Sequence, residues 1–352
     1  MSWFKELIEK QPQAVKLCIE MSGNHQGCFE TAKRFVAKAP TNAQVCLKFQ
    51  VYTPDTITMK SQNPDFLLPE DNDWSKFKTF HDLYTKAFTP WDWVEELAAI
   101  CESKSMPWFA SPFDTTAVEF LEQLGCQGYK IASPEITDIG LIDAVSKTGK
   151  PVVLSTGLAT WSDLDLAVSE VRKHHQDFAI LKCTSAYPTP IDELNLSVIP
   201  RIKERYNCAV GISDHSLSQT AAIVAVALGA TIVEKHFKLD DDKTSVDNHF
   251  SENLSCAEHF LHTLNDAFLS LGDSELVITK SAIPSLNGKR SLYFDRCLSA
   301  GSIIDAASVR SVRPSFGLHP KYLPQIIGKR LLTEVNKGDR VTSKVIEDFT
   351  DD

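Results

Sequence analysis

The stretch "AVGISDHSLSQTAAIVAVALGATIVEKHF", residues 209–237, decides how the rest of the chain is read. Two short apolar runs, "AVGISD" (209–214) and "TIVEKHF" (231–237), flank "QTAAIVAVALG", which is alanine-rich and long enough for a helix. Near-continuous apolar runs suit strands buried on both faces, and parallel neighbours need a connection of this length. The unit reads as strand, helix, strand. Both strands nevertheless lead into polar residues, Ser213, Asp214 and His215 in one and Glu234, Lys235 and His236 in the other. Residues i and i+2 of a strand share a face. Glu234 and His236 therefore point one way, and Lys235 points the other, toward helices or the surface. Gly211, Ser213 and His215 share a face in the same manner.

The same alternation runs upstream. Further strands are expected at "KLCIEM" (16–21), "QVCLKFQ" (44–50), "PWFASPF" (107–113), "YKIAS" (129–133), "PVVLST" (151–156) and "AILKCT" (179–184). Eight strands, each followed by a helix-sized connection, predict an α/β fold of the (β/α)8 TIM barrel type. A doubly wound open sheet is the alternative, but no G-x-G-x-x-G follows any strand. Thr89-Pro90 with Asp92 reads as an N-cap with proline at the first helical position. Ser255 with Glu258 reads as a capping box on a helix that stops at Gly272. "QTAAIVAVALG" is apolar on nearly all faces, which predicts a well-buried helix. Residues 53–88 form a long insertion after strand two, on the face where insertions shape sites. The alternation ends near residue 280, "SAIPSLNGK" (281–289) reads as a linker, and residues 290–352 as a small β-rich domain. Its short strands are expected at "RSLYF", "CLSAGSIID" and "VNKGDRVTS".

The chain has 352 residues, 43% hydrophobic and 23% charged, with a formal net charge of −10. Such an acidic balance disfavours non-specific nucleic-acid binding, so an anionic substrate would need a local basic pocket. The nine scattered cysteines contain no C-x-x-C pair, which points to reduced thiols and a cytoplasmic setting. No run of 18 apolar residues is present, and the amphipathic start "MSWFKELIEKQPQAVK" does not read as a signal peptide. The expectation is a soluble cytoplasmic protein with no membrane or nucleic-acid partner.

In a barrel the C-terminal strand ends share one mouth. Glu20 ends strand one, Lys48 and Gln50 lie on strand two, and Lys130, Ser133 and Glu135 cluster about the end of strand four. Ser155 lies two residues before Gly157 on strand five. Two histidines at adjacent strand ends, each beside polar neighbours, favour metal binding or catalysis over packing. Lys48 and Lys130 with Ser133, Ser155 and Ser213 favour a phosphate or carboxylate site. His174 and His175 sit in the last turn of a helix, where its dipole suits them, and carry no assigned function. The tryptophans and cysteines read as packing.

These residues, in this order, resemble the nonulosonic (sialic) acid synthase family. The resemblance covers nearly the whole chain: "GNHQG", "KFQ" with "YTPD", "SPFD", "YKIASPEITD", "LSTGLAT", "LKCTSAYPTP", "GISDHS", and "VALGA" with "IVEKHF". The C-terminal "SVRPSFGLHPKY" resembles the antifreeze-like (SAF, β-clip) domain fused to these synthases. Within the family, "YTPD" and "RPSFGLHPK" are most similar to the pseudaminic acid branch rather than the N-acetylneuraminate or legionaminic acid branches. Two departures stand out: "KAPTNAQVCLKFQ" lacks the usual Ala-Gly-Ala-Asp, and Ser185 stands where some members have Asn.

The resemblance implies condensation of phosphoenolpyruvate with the open aldehyde form of an N-acetylated amino sugar. His215 and His236 would hold a divalent metal, Mn²⁺ or Mg²⁺. Lys48, Lys130, Ser133, Ser155, Ser185 and Ser213 would bind phosphoenolpyruvate. Glu20, Gln50, Tyr187 and Asp247 would hold the sugar hydroxyls or the aldehyde end. Arg313 would reach the sugar's acetamido group in the barrel of a partner subunit, which implies a domain-swapped homodimer. Glu234, aimed into the same pocket, suits stabilising positive charge at C2 or deprotonating the water that quenches it. A barrel aldolase working through a Schiff-base lysine and a non-catalytic binding protein are the competing classes. The second should have lost the metal histidines or the lysines, and none is lost.

Overall fold

The computed structural model describes residues 3–9, 12–70 and 72–351. It divides into two units, one running to Gly272 and one from Asp273.

Eight parallel strands build the first unit: β1 (Lys16–Glu20), β2 (Val45–Val51), β3 (Trp108–Pro112), β4 (Tyr129–Ile131), β5 (Val152–Ser155), β6 (Phe178–Cys183), β7 (Ala209–Asp214) and β8 (Ile232–Lys238). They pair in chain order and β1 also pairs with β8, so the sheet closes into a TIM barrel. Every expected barrel strand is present within two residues of its expected bounds. Closure fixes the register that matters for the mouth: Glu20 lies beside Lys48 on one side and His236 on the other, and Ser213 lies beside Glu234. At Gly211 the strands approach so closely that a Cβ would lie 2.2 Å from the Ile232 carbonyl oxygen. No larger residue fits there without moving β8.

The connecting helices follow the sequence pattern with three corrections. The helix Trp91–Ser103 starts after an extended Pro90, which occupies the N-cap position. Thr89 lies one residue too early for its hydroxyl to cap the first turn. The helix Ala257–Ser270 follows a 3-10 turn, Leu254–Cys256, that contains Ser255. A residue already inside a helical turn cannot take the extended N-cap conformation, and the expected capping box does not form. The helix Thr220–Ala227 buries Ala221, Ala222, Ala225 and Val226, but Val224 on its outer side is 40% exposed. Its small residues pack one side closely on the sheet, and the apolar outer side stays open in the single chain.

The insertion after β2 carries short helices at Pro54–Ile57 and Phe80–Ala87, with 3-10 turns at Pro64–Phe66 and Ser75–Phe77. In the second unit, Ser291–Phe294 pairs antiparallel with Val309–Val312 around a small core that includes Leu292, Phe294, Ile304, Ile326 and Val341. "CLSAGSIID" and "VNKGDRVTS" contribute single bridges, Leu298 to Val335 and Ile303 to Arg330, rather than strands. Gly301 and Gly338 turn these segments at positive φ (+83° and +91°), so each bridge is cut short by a bend that favours glycine. Residues 281–289 fall largely within a 3-10 helix, Lys280–Gly288. Among the described residues, no helix is long and apolar enough to cross a membrane.

Candidate active site

At the C-terminal end of the barrel four ionisable side chains meet in a dry layer. Lys130 Nζ donates to both oxygens of Glu234, at 2.9 and 3.1 Å, and Lys48 Nζ lies 3.5 Å from Oε1 of the same carboxylate. Ser213 donates to Glu234 Oε1 at 2.9 Å. Lys48 also pairs with Glu20, and donates to Ser111 Oγ at 3.3 Å. Burial alone would raise the Glu234 carboxyl, but the two ammonium groups outweigh it and hold the group well below the usual carboxylate range. Glu20 goes the other way: burial pushes it up, and the charge of Glu234 adds to that push against Lys48. The layer therefore keeps one firm carboxylate between two cations, with a second carboxyl that more readily keeps its proton. With Glu20 protonated, such a site has positive charge left for an anion.

Beside it lies a cradle of hydroxyls. Ser155 Oγ and Ser185 Oγ are buried without a hydrogen-bond partner among the described residues. The Gly157 N–H donates to Ser133 Oγ at 2.9 Å. A Cβ at Gly157 would lie 2.2 Å from Ser185 Oγ and 2.7 Å from Ser133 Oγ, so the absence of a side chain keeps this cradle open. Buried hydroxyls are costly unless a partner satisfies them, and the oxygens of a phosphate or carboxylate suit all three.

His215 and His236 face each other across the neighbouring strand ends, their ring centroids 5.2 Å apart. His215 Nδ1 lies 3.2 Å from the Thr184 carbonyl; as donor there, it leaves Nε2 with a lone pair for a cation. Among the described residues His236 Nδ1 is buried without a hydrogen-bond partner, and it lies 3.9 Å from Asp247 Oδ2. Burial, reinforced by His215, holds His236 well below its ordinary value, in the neutral form a metal requires. The donors present therefore fit a divalent ion held by two imidazoles. Cys183 Sγ, 3.8 Å from His215 Nδ1, belongs to the same cluster. Burial would raise that thiol, but His215 in its protonated form outweighs burial and brings it to about 7. Burial would lower His215 in turn, but Cys183 raises it, so an ion at Nε2 would have to displace that proton.

Gln50, Tyr187, Asp247 and His236 line an adjoining cavity of about 230 Å³. Ser22 donates to Asp247 Oδ2 at 2.5 Å and accepts from Gln50 Nε2 at 3.0 Å. The opposite wall is aromatic and aliphatic, with Leu68, Trp74, Phe80 and Leu83 from the insertion. Trp74 packs on Tyr187 at 5.3 Å, and Tyr187 on His215 at 4.4 Å. A cavity polar at one end and apolar along the other suits a sugar that carries methyl groups.

The structure thus brings together Glu20, Lys48, Gln50, Lys130, Ser133, Ser155, Ser185, Tyr187, Ser213, His215, Glu234, His236 and Asp247 at one mouth. Arg313 belongs to the second unit and is exposed there. Lys235 turns away from the mouth, as parity requires, but it is buried rather than at the surface. His174 pairs with Asp143 on the helical rim at 2.8 Å. Sequence reasoning missed Ser22, Ser111 and Cys183, and named Gly157 only by its spacing from Ser155. Ser111 alone had a usable signal, since strand parity puts it on the mouth face of β3.

A closed barrel with buried hydroxyls, a carboxylate between two lysines and an imidazole pair gathered at its mouth has the arrangement of a barrel enzyme. The chain belongs to the NeuB family, whose profile matches residues 35–276; that of the SAF domain matches residues 289–344. It is 37% identical over 327 residues to a pseudaminic acid synthase of Campylobacter jejuni (strain 81-176), covering 92% of this chain and 94% of that one. It is 33% identical to the pseudaminic acid synthase of Helicobacter pylori, covering 90% and 94%. Similarity to an N,N'-diacetyllegionaminic acid synthase of C. jejuni is lower, 27% over 92% and 97%. A solved structure of spore coat polysaccharide biosynthesis protein E from Chromobacterium violaceum superposes with a TM-score of 0.71 at 25% identity, covering 95% and 99%.

Proposed function

We propose that the protein is a pseudaminic acid synthase. It joins phosphoenolpyruvate to the open-chain form of a 2,4-diacetamido-2,4,6-trideoxyhexose of the altrose type, giving a nonulosonic acid and phosphate. One observation carries the reading: Glu234, held ionised by Lys48 and Lys130, shares its strand face with His236 and pairs in register with Ser213 at the same mouth. The higher identity to pseudaminic than to legionaminic acid synthases supports the choice of sugar.

Lys48, Lys130, Ser133, Ser155, Ser185 and Ser213 bind phosphoenolpyruvate, whose charge near neutral pH suits two ammonium groups. Gln50, Tyr187 and Asp247 orient the sugar so that its aldehyde carbon meets C3 of phosphoenolpyruvate. His215 and His236 would hold Mn²⁺ or Mg²⁺, which when bound supplies Lewis-acid polarisation of a carbonyl oxygen. As the C3–C1 bond forms, the enol π-pair is spent and positive charge develops at C2, where the Glu234 carboxylate stabilises it. Water adds at C2 and loses a proton, for which Glu234 is the placed acceptor and Glu20 the neighbouring relay. The hemiketal phosphate then breaks the C2–O bond to phosphate as its C2 hydroxyl gives up a proton to the departing phosphate, leaving the 2-keto acid and inorganic phosphate. The proton lost by the water ends on the former aldehyde oxygen. The reading includes a cytoplasmic setting and a domain-swapped homodimer in which Arg313 meets the acetamido group at the partner's mouth.

Phosphate release with phosphoenolpyruvate, Mn²⁺ and each sugar tests it. Turnover is expected with the diacetamido trideoxyhexose. Turnover with N-acetylmannosamine alone would overturn the sugar in favour of N-acetylneuraminate synthesis, and turnover with the legionaminic precursor alone would favour that branch.

A further inference from the structure

Lys235 lies between Glu234 and His236, yet its side chain points behind the strands, where it is 2% exposed. Its Nζ meets Asp214 Oδ2 at 2.8 Å and donates to the Ser216 carbonyl at 2.7 Å. Asp214 is also buried, and its Oδ1 accepts from the Ser216 N–H at 2.9 Å. The turn that leaves β7 is thus folded around one ammonium group, which anchors the residues on either side of His215. The same lysine is the chain neighbour of His236, and Asp214 and Lys235 face each other in the β7–β8 register.

A buried ion pair adds little net stability, because desolvating both charges offsets most of their attraction. What this one supplies is direction. Two short polar contacts tie the residues flanking one imidazole to the residue beside the other, and a third closes the turn around His215. We infer that Lys235 is a positioning residue that sets the separation of His215 and His236, and through it the affinity for the divalent ion. The inference rests on the proposed metal role of the two imidazoles.

The test measures Mn²⁺ binding by the EPR signal of free Mn²⁺, with phosphoenolpyruvate present, for the wild type, His236→Ala and the paired variant Lys235→Met with Asp214→Asn. The paired change removes both buried charges, so neither is left without a partner. The wild type should bind and His236→Ala should not; a wild type that leaves free Mn²⁺ unchanged would overturn the metal reading itself. The paired variant should bind Mn²⁺ about 10–100-fold more weakly, the range for supporting partners of metal ligands. Its KM for phosphoenolpyruvate should stay within about 3-fold of wild type, because the lysine–serine cradle stands on other strands. Wild-type Mn²⁺ affinity in a folded paired variant would overturn the inference. If that variant does not fold, Lys235→Arg carries the test, since it keeps the cation but displaces the two anchors. Weaker Mn²⁺ binding at unchanged KM for phosphoenolpyruvate supports the role, and unchanged Mn²⁺ affinity removes it.

Discussion

Glu135 stands two residues beyond Ser133, and its Oε2 is buried without a hydrogen-bond partner among the described residues. Burial is the largest influence on its carboxyl and pushes it from the ordinary 4.5 to about 7. The folded chain therefore holds this proton more tightly than the unfolded chain. The resulting stability is complete below about pH 4.5 and is lost as pH rises through 7. Glu135→Gln keeps the shape and cannot ionise. Its melting temperature should match wild type near pH 4 and exceed it by about 3 °C at pH 8, the size expected for 1–2 kcal/mol in a domain this large. Thermal melts across that range check it, and a gap independent of pH would show that ionisation is not the cause. The sequence placed Glu135 near the mouth, because it follows the end of β4. Its missing partner was not legible there, since that depends on which other elements reach the turn.

At the scale of elements, parity carried the reading further than any motif. Alternation along β2, β7 and β8 separates Lys48, Ser213, Glu234 and His236 from outward residues such as Lys235, and closure then brings the inward set together. Helix starts were less legible, since Thr89 lies one residue before the N-cap position and Ser255 lies inside a helical turn. The insertion of residues 53–88 was legible as a site-shaping segment, but not in which of its side chains enter the cavity. Trp74 shows why: its Nε1 donates to the Val246 carbonyl at 3.0 Å, a tie to a loop more than 170 positions away. That bond aligns the indole on Tyr187 and joins the insertion to the loop bearing Asp247. Trp74→Ala should raise KM for the sugar about 10-fold while leaving that for phosphoenolpyruvate within about 2-fold, the loss of one packed aromatic wall. Steady-state kinetics with each substrate varied checks it; equal rises in both constants would mean the insertion supports the whole mouth rather than the sugar end.

At the scale of the molecule, charge is divided unevenly. Through Gly272 the chain carries 24 Lys and Arg against 36 Asp and Glu, whereas from Asp273 on it carries 12 against 10. The proposed exchange of small domains makes a prediction that no single-chain site shares. Arg313→Ala spoils what a chain lends to its partner, and His236→Ala spoils the chain's own barrel. In a mixed dimer one of the two mouths then has both an intact barrel and an intact arginine. Co-expression at equal levels gives mixed dimers in half of the population, so roughly a quarter of all mouths should be whole. Measured at sugar concentrations well below KM, where Arg313→Ala alone is weakest, the co-expressed pair should recover about a quarter of wild-type activity. Each variant alone should recover far less. If Arg313 instead serves its own barrel, the mixed dimer pairs one chain lacking the arginine with one lacking the imidazole. Neither mouth is then whole, and activity stays at the mean of the two single variants.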